Sequence, residues 1–279
     1  MPKEQLTIVI PAYNEENRLP PTIKKVMEWA DETPAFEIEL IIVDDGSEDR
    51  TCELVREFTK EDSRIRLIEE THVGAVHAIL AGFLAAKYPL VGNMDADIAV
   101  HPREFENLLP FINETGIAQG SRSLTKEGQW TIKSKSSLRR TISFGMFYLF
   151  KMLFKDQVND PQIGFRLFQK ESVLKIYPTL RLWHDGMKHG EIVIRAYGLG
   201  FTVSEIHVPY IHDEDSRCVP KGLFKAAFIS LEAMAALVSM WAQCSIDYQT
   251  GILKRPTTRG AFLFWPFSLI SQQTKNSTI

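Results

Sequence analysis

Two aspartates stand one residue apart after an apolar stretch. The segment VGNMDADIAV, residues 91–100, places Asp95 and Asp97 at the end of a strand-like run. In an extended chain, positions i and i+2 project to the same side, so the two carboxylates would share a small volume. Such a pair is unfavourable without a compensating cation. Carboxylates suit Mg²⁺ or Mn²⁺, whose coordination shells are completed by phosphate oxygens and water. The pair predicts a metal site that serves a phosphorylated molecule.

Two earlier apolar runs also end in polar residues. PAYNEE follows the first run and DDGSEDRT follows the second. In open α/β sheets, ligands bind outside the carboxyl ends of the strands, so we expect these side chains to gather beside the aspartate pair. The expected group comprises Pro11, Tyr13, Glu15, Asp44 and Asp45. Asp-Gly and Ser are also turn and helix-capping residues, so a purely local role for DDGS is the alternative.

The elements that must position these residues alternate along the chain. Strand patterns are LTIVIPAY, IELIIVDD, RIRLIEE, LVGNMDAD and IAQGSR, and helix patterns lie near residues 18–32, 49–61, 74–86 and 102–115. Nearly continuous apolar strands joined by helices predict an α/β fold, with a mainly parallel, Rossmann-like sheet covered on both faces. After residue 122 the pattern changes to a basic stretch and then to an aromatic, helical one.

Composition narrows the function classes. The chain has 279 residues, 44% of them hydrophobic, which suits one large domain or a domain with an appendage. Its 35 acidic and 32 basic residues give a net charge of -3, so no global field favours nucleic acid. Three distant cysteines without CxxC spacing argue against a disulfide framework or structural zinc. The N-terminal residues lack a signal-peptide pattern, and we expect a cytoplasmic protein.

Familiar phosphate-binding motifs are missing from the sequence. Neither GxGxxG nor GxxxxGK[ST] occurs, which argues against a dinucleotide-dependent dehydrogenase and a P-loop NTPase. Because these loops are missing, we expect the metal held by the aspartate pair to bind the phosphates.

Five segments together resemble a known family. IVIPAYNEE, IIVDDGSEDRT, MDAD, GSR and DPQIGFRLF, in this order, are similar to the family 2 glycosyltransferases with a GT-A fold. Within that family the likeness is greatest to polyprenyl-phosphate glycosyltransferases, the dolichyl-phosphate mannose and glucose synthases. It spans about residues 6–215. The resemblance implies a GT-A domain over residues 1–215, with a nucleotide-binding half at about 1–122 and an acceptor half at about 123–215. A C-terminal helical extension, 216–279, would follow.

The resemblance also implies an activity. The enzyme would be an inverting transferase that moves a hexose from a UDP- or GDP-sugar to a polyprenyl phosphate. PAYNE and DDGS would line the nucleotide pocket, which assigns the base and ribose to Pro11, Tyr13, Glu15, Asp44 and Asp45. Asp95 would contact the ribose and the metal-diphosphate group, and Asp97 would be the direct metal ligand.

The acceptor decides which other residues matter. A lipid phosphate is already an anion and needs cations. The candidates are Arg122, Arg139, Arg140, Arg166, Arg217 and Lys221, of which Arg122, Arg140 and Arg217 are favoured. A solvated surface role is the alternative for each. A hydroxyl acceptor would instead need a general base, and the candidates are Asp160, Asp185 and Glu191, with Asp160 first because it opens DPQIGF. His212 is either a third metal ligand or an ordinary loop histidine.

The C-terminal sequence raises the question of a membrane. The sequence contains no run of about 20 uncharged apolar residues, so it does not predict a helix that spans a membrane. Residues 221–243 predict an amphipathic helix, and residues 251–279 combine basic and aromatic residues with no acid. These features predict a peripheral protein at the cytosolic face of a membrane, whereas packing on the core or on a second subunit is the alternative. Two other functions stay open: a soluble family 2 transferase acting on a glycan, peptide or small-molecule hydroxyl, and a non-catalytic sugar-nucleotide-binding module.

Overall fold

One mixed sheet organises the protein. The computed structural model describes residues 3–122, 145, 148–153, 158–181, 188–211 and 223–253. Within these residues the strands are β1 (Glu4–Ala12), β2 (Phe36–Asp45), β3 (Ile65–Glu70), β4 (Leu90–Asn93), β5 (Ile117–Ser121), β6 (Arg166–Gln169) and β7 (Ser204–His207). Their order in the sheet is β3-β2-β1-β4-β6-β5-β7.

The sheet is mainly parallel, as predicted. β1 lies between β2 and β4 and is parallel to both, and β3 is parallel to β2. β6 runs antiparallel between β4 and β5, and β7 is parallel to β5. The carboxyl ends of β1, β2 and β4 therefore meet at one edge, and β6 begins at that same edge, because Asn93 pairs with Arg166.

Helices cover both faces of the sheet. They are α1 (Leu19–Glu32), α2 (Thr51–Glu61), α3 (Ala75–Ala85), α4 (Glu104–Thr115), α5 (Lys170–Ile176), α6 (Lys188–Gly198) and α7 (Leu223–Gln249). Prolines in the first turn of α1 fit a position where no backbone donor is needed. Gly116, at φ 74°, ends α4 in the left-handed conformation that glycine tolerates. The first four predicted helices are confirmed, with ends that differ from the prediction by a few residues at most.

The core forms a layer on each side of the sheet. Along β1, Ile8 and Ile10 pack into one hydrophobic cluster with α1 and α4, and Val9 packs into the other with α3. This alternation follows the two-residue period of a strand. All three side chains are fully buried, which explains why the strand reads as a continuous apolar run.

A third cluster joins α6, α7 and the helical residues 148–153. Phe150, Ile194, Leu237 and Cys244 are among its buried members. α7 confirms the helix predicted at residues 221–243. No helix among the described residues combines the length and apolar character required to cross a bilayer.

Candidate active site

The loops that follow β1 and β2 are joined by hydrogen bonds. Asn14 adopts a left-handed backbone, at φ 54°, and its amide N–H donates to Ser47 Oγ at 2.9 Å. Its side-chain oxygen accepts from the backbone N–H of Glu48 at 2.8 Å. The N–H of Glu15 donates to Thr51 Oγ1 at 2.8 Å. PAYNEE and DDGSEDRT therefore form one polar unit at the sheet edge.

The two aspartates of DDGS are both buried, and both accept backbone hydrogen bonds. Asp44 Oδ2 accepts from the N–H groups of Gly46 and Ser47, so the local turn role considered above is present. Asp44 Oδ1 is buried, and burial together with a hydrogen bond to the Asp44 carboxylate raises the pKa of the Cys52 thiol to about 12. Asp45 Oδ1 accepts from Val73 at 2.8 Å and from Gly74 at 3.1 Å, which fixes the turn before α3.

An aromatic pair lies over this turn. The rings of Tyr13 and His72 are stacked, with centroids 4.2 Å apart. His72 Nδ1 lies 2.9 Å from both the backbone oxygen and the carboxylate of Asp45. Tyr13 is 39% exposed, so a flat polar-aromatic surface faces solvent beside the carboxyl end of β2. His72 was not among the predicted site residues, and its sequence position gave no paired metal-ligand spacing by which to find it.

The geometry expected for Asp95 and Asp97 is wrong in one respect. β4 ends at Asn93, where its pairing with β1 and β6 stops, so the two aspartates lie in the following loop and not in an extended strand. Ile98 turns the chain with a left-handed φ of 54°. Asp97 Oδ1 accepts from the N–H of Ala99 at 3.1 Å, which stabilises that turn.

The charge of Asp95 is poorly compensated. Burial, followed by the negative charge of Asp97, raises the pKa of Asp95 to about 6, although Arg122 and Arg166 oppose this shift. The side chain nevertheless remains open to solvent on its outer side. Asp95 thus lies in a recess that protein atoms surround and a solute can enter. A cation would relieve the repulsion between the two carboxylates.

Gly164, in the IGF segment, forms one wall of this recess. A Cβ atom at Gly164 would overlap both carboxylate oxygens of Asp95. The backbone oxygen of Gly164 accepts from the side-chain amide of Asn93, the last residue of β4. DPQIGF is thereby held against the aspartate pair, and glycine at this position leaves the space that the carboxylate occupies.

Arg122 and Asp160 form a bidentate ion pair near the same recess. Arg122 Nε lies 2.7 Å from Asp160 Oδ2, and Nη2 lies 2.6 Å from Oδ1. The guanidinium also lies over the ring of Tyr210, 5.3 Å from its centroid. Burial alone would raise the pKa of Asp160, but hydrogen bonds and charge from Arg122 outweigh it and hold that pKa below its ordinary value. This buried carboxylate is thus an ionised partner of arginine, and the pairing does not favour the general-base role considered for it.

Arg166 differs from the expected phosphate contact. Its side chain has no exposed surface. It donates to Gln119 Oε1 at 3.0 Å and to the backbone oxygen of Pro161 at 2.7 Å, and Nη1 lies 3.1 Å from His189 Nδ1. Burial lowers its pKa to about 10. The guanidinium therefore holds the DPQIGF loop and α6 together and is not presented to a ligand.

Glu205, on β7, is a residue that sequence reasoning missed. Its carboxylate accepts from the backbone N–H of Asn159 at 2.7 Å and from that of Asp160 at 2.6 Å. Burial raises its pKa, although these donors oppose the shift. The contacts join positions more than forty residues apart, so local patterns could not reveal them.

The remaining predicted residues fall into two groups. Pro11 lies in β1, and Glu15 is paired with Arg18 at 2.7 Å. Glu191, one alternative base, is buried and accepts from Arg195 Nε at 3.1 Å, so its environment does not favour that role. The other candidates lie outside the described residues: Arg139, Arg140, Asp185, His212, Arg217 and Lys221.

The donor set around the recess fits a hard divalent cation. The described residues contain no group of three or more His, Cys, Asp or Glu side chains arranged to hold a metal. Asp95 and Asp97 instead supply a carboxylate pair with uncompensated charge. Two carboxylates, completed by phosphate oxygens and water, form a usual environment for Mg²⁺ or Mn²⁺.

Comparison with known proteins identifies the family. The model of the family described as "Glycosyl transferase family 2" matches residues 7–176. The chain belongs to this family. It is a glycosyltransferase, and both the enzyme class and the family resemblance stated from the sequence are confirmed.

Curated relatives resemble this glycosyltransferase over most of its length. A dolichyl-phosphate beta-glucosyltransferase of Dictyostelium discoideum is 31% identical over 229 residues, 77% of this chain and 69% of the relative. The human dolichyl-phosphate beta-glucosyltransferase is 30% identical over 236 residues, 78% of this chain and 71% of the relative.

Solved structures confirm that this glycosyltransferase has a GT-A fold. Glucosyl-3-phosphoglycerate synthase of Mycobacterium tuberculosis in complex with UDP aligns with a TM-score of 0.60 at 17% identity, covering 86% of this chain and 80% of that one. The same synthase crystallised with Mn²⁺, UDP and glucosyl-3-phosphoglycerate gives a TM-score of 0.61 at 16% identity, with the same coverage.

Proposed function

We propose that this glycosyltransferase moves glucose from a nucleotide-diphosphate donor to a polyprenyl phosphate of the dolichyl type. The reaction inverts the anomeric centre. The observation that carries the proposal is the recess formed by the Asp95–Asp97 loop and Gly164, beside the Arg122–Asp160 pair. The curated relatives, named dolichyl-phosphate beta-glucosyltransferases, support both the sugar and the acceptor.

The nucleotide lies along the polar unit at the ends of β1 and β2. Tyr13 contacts the base through its exposed ring, and His72 stiffens that ring by stacking on it. Asp44, at the carboxyl end of β2, is assigned to the base and ribose with its neighbours. Pro11, Glu15 and Asp45 complete the wall of the pocket.

The diphosphate lies at the loop after β4. Asp97 and Asp95 would hold Mg²⁺ or Mn²⁺ there, with Asp95 also within the reach of the ribose. A bound divalent ion supplies Lewis-acid stabilisation of the departing diphosphate. Gly164 keeps the Asp95 carboxylate in place, and the left-handed turn at Ile98 orients Asp97. The chain thus positions the carboxylates of Asp95 and Asp97, whose negative charges would be compensated by the cation that accompanies the donor.

The acceptor phosphate approaches from the Arg122 side. Arg122 is about one-third exposed, and its pairing with Asp160 sets the direction of the guanidinium. An anionic phosphate oxygen is already a nucleophile, so the acceptor needs cationic positioning more than deprotonation. Arg140 and Arg217 are proposed as further cations for this phosphate. Arg166 does not contact the phosphate. It positions the loop from which Asp160 contacts Arg122, through its hydrogen bond to the backbone oxygen of Pro161.

The division of the chain follows the same scheme. Residues 1–122 form the nucleotide-binding half, about 123–215 the acceptor half, and 216–279 an extension that associates with a membrane. The protein is peripheral at the cytosolic face, where a polyprenyl phosphate headgroup is within reach. The acid-free, aromatic sequence of residues 251–279 supports this location.

A transfer assay tests the proposal. Purified protein is incubated with Mn²⁺, dolichyl phosphate in detergent, and radiolabelled UDP-glucose or GDP-glucose, and lipid-extractable label is measured. We expect transfer from one of the two donors, with loss by about a hundredfold or more in Asp97→Ala. Label on a soluble glycan or peptide acceptor, with none on lipid, would overturn the acceptor assignment. Donor binding without hydrolysis or transfer to any acceptor would indicate a binding module.

A further inference from the structure

Beyond its exposed Glu232, the outward face of α7 differs from that of α2. Between Met234 and Gln249 the exposed residues are Met234, Ala235, Val238, Ser239, Ala242, Ile246 and Gln249. None of these seven carries a charge. In α2, by contrast, all five exposed residues are charged: Glu53, Arg56, Glu57, Lys60 and Glu61. An ordinary solvated helix face resembles α2, so the face of α7 calls for another environment.

Three large apolar side chains form a stripe on this face. Met234, Val238 and Ile246 are 44%, 49% and 50% exposed. Their spacing of four and eight residues places them on one side of the helix, along about 18 Å. The exposed residues between them, Ala235, Ser239 and Ala242, are small, so a flat surface can approach the helix along its length.

The helix cannot turn this stripe inward. Its opposite side packs into the core through Leu237, Met240 and Cys244. Asp247, which is also buried, is paired with Arg195 of α6 and lies 3.2 Å from Arg181 Nη2. Packing and a buried ion pair therefore fix which face of α7 points outward.

The sequence after α7 indicates what covers the stripe. Residues 251–279 contain four basic residues and no acidic one, together with Phe262, Phe264, Trp265 and Phe267. Ile252, directly after the helix, is 46% exposed. Basic and aromatic residues that follow an uncharged apolar helix face in the sequence complement an anionic lipid surface. A second copy of the chain that used the same face would present an equally basic, acid-free segment, and the two segments would repel each other.

We propose that the face of α7 defined by Met234, Val238 and Ile246 lies on the bilayer surface, parallel to its plane. This inference rests on the proposed function, because it assigns the part of the protein that brings the site to a membrane-borne acceptor. The half-buried helix leaves the core contacts intact while the outer side chains enter the headgroup boundary.

Vesicle sedimentation tests this surface separately from catalysis. Vesicles of equal parts phosphatidylcholine and phosphatidylglycerol, without any polyprenyl lipid, are mixed with the full chain. We expect the wild type to sediment with the vesicles. The double variant Val238→Glu/Ile246→Glu should bind them at least about tenfold more weakly. The matched control is Leu174→Glu on α5, which changes a 47% exposed leucine and should bind like the wild type. Ala242→Leu should strengthen binding by about threefold.

Each outcome bears on one claim. Unchanged binding of the double variant, or no binding of the wild type, overturns the lipid-facing assignment even if the transfer assay succeeds. Sedimentation velocity without vesicles provides the second readout. A wild-type dimer that the double variant converts to a monomer would make the face a subunit interface and overturn the inference. A cooperative urea unfolding transition with the wild-type midpoint shows that the double variant is folded, whatever the acceptor proves to be.

Discussion

Asp95 carries a charge that the surrounding protein disfavours. Its pKa of about 6 exceeds the value of about 3.9 expected in the unfolded chain. Between those pH values the folded state keeps a proton that the unfolded state has lost, so stability falls as pH rises through this window and stays lower above it. The effect is on the order of 1 kcal/mol, because solvent reaches the outer side of the carboxylate.

Asp95→Asn should therefore stabilise the metal-free protein above about pH 7 and leave its stability unchanged near pH ~4. The free energy of unfolding in urea, measured at both pH values, checks this expectation. Equal stabilisation at the two values would show that the ionisation of Asp95 is not the cause. Mn²⁺ should stabilise the wild type more than the variant, since the variant lacks one of the two carboxylates.

Gly164 tests the recess without removing a charge. In Gly164→Ala the added methyl group displaces the Asp95 carboxylate, at a cost of about 1–3 kcal/mol, so Mn²⁺-dependent donor affinity should fall about tenfold. Gly145→Ala is the matched control, because a Cβ atom there meets no atom of the described residues within 4 Å. Isothermal titration of donor into both variants gives the comparison. Normal donor affinity in Gly164→Ala would mean that the position of Asp95 does not matter.

At the scale of elements, the junction of α6 and α7 depends on one buried ion pair. Asp247→Asn leaves the fully buried Arg195 with a weakened partner, and we expect a loss of about 3 kcal/mol in the free energy of unfolding. Glu53→Gln breaks an exposed, solvent-screened pair with Arg50 and should leave the free energy of unfolding almost unchanged. Urea unfolding of the two variants measures the contrast. Similar small losses in both would show that Asp247 does not hold α7 to α6.

β7 should affect the acceptor half and not the nucleotide pocket. Glu205→Gln weakens the acceptor for the Asn159 and Asp160 amides, which loosens the Arg122–Asp160 pair. We expect kcat to fall about tenfold with donor KM almost unchanged, since the PAYNEE and DDGS contacts are separate. Glu69→Gln, an exposed glutamate on β3 paired with Arg56, is the control. A rise in donor KM with normal kcat would contradict this division.

Elements were more predictable from the sequence than their junctions. The continuous apolar runs of β1 and β2 and the spacing of buried residues in α1 identify those elements, because burial imposes the pattern locally. The end of β4 at Asn93 was missed, since it depends on pairing with β6, more than seventy residues later.

The site was predicted as a set of motifs, and its internal pairings were not. Asp44 and Asp45 end β2 and the Asp95–Asp97 pair follows β4, and the alternating pattern reveals these strand ends. The pairing of Arg122 with Asp160, the burial of Arg166 and the role of Glu205 arise from contacts across the sheet. Arg122 and Arg166 have the same side chain, and only their surroundings decide that one stays partly open while the other is enclosed.

At the scale of the whole molecule, two parts of the sheet meet at the loop after β4. β1, β2 and β4 contribute the polar unit and the aspartate pair, and β6 begins beside that loop with the DPQIGF segment leading into it. The antiparallel insertion of β6 brings Gly164 against Asp95. We infer that donor binding and acceptor positioning share this loop, whereas α7 sets the orientation of the molecule on a lipid surface.

The central claim is that Asp95 and Asp97 hold a divalent cation against a nucleotide diphosphate. Isothermal titration of UDP-glucose and of GDP-glucose, with and without Mn²⁺, measures this directly in the wild type and in Asp97→Ala. We expect saturable binding of one donor. Mn²⁺ should strengthen this binding by about tenfold or more in the wild type and should have no effect in Asp97→Ala. Equal donor affinity with and without Mn²⁺ in the wild type, or an undiminished Mn²⁺ effect in Asp97→Ala, would contradict it.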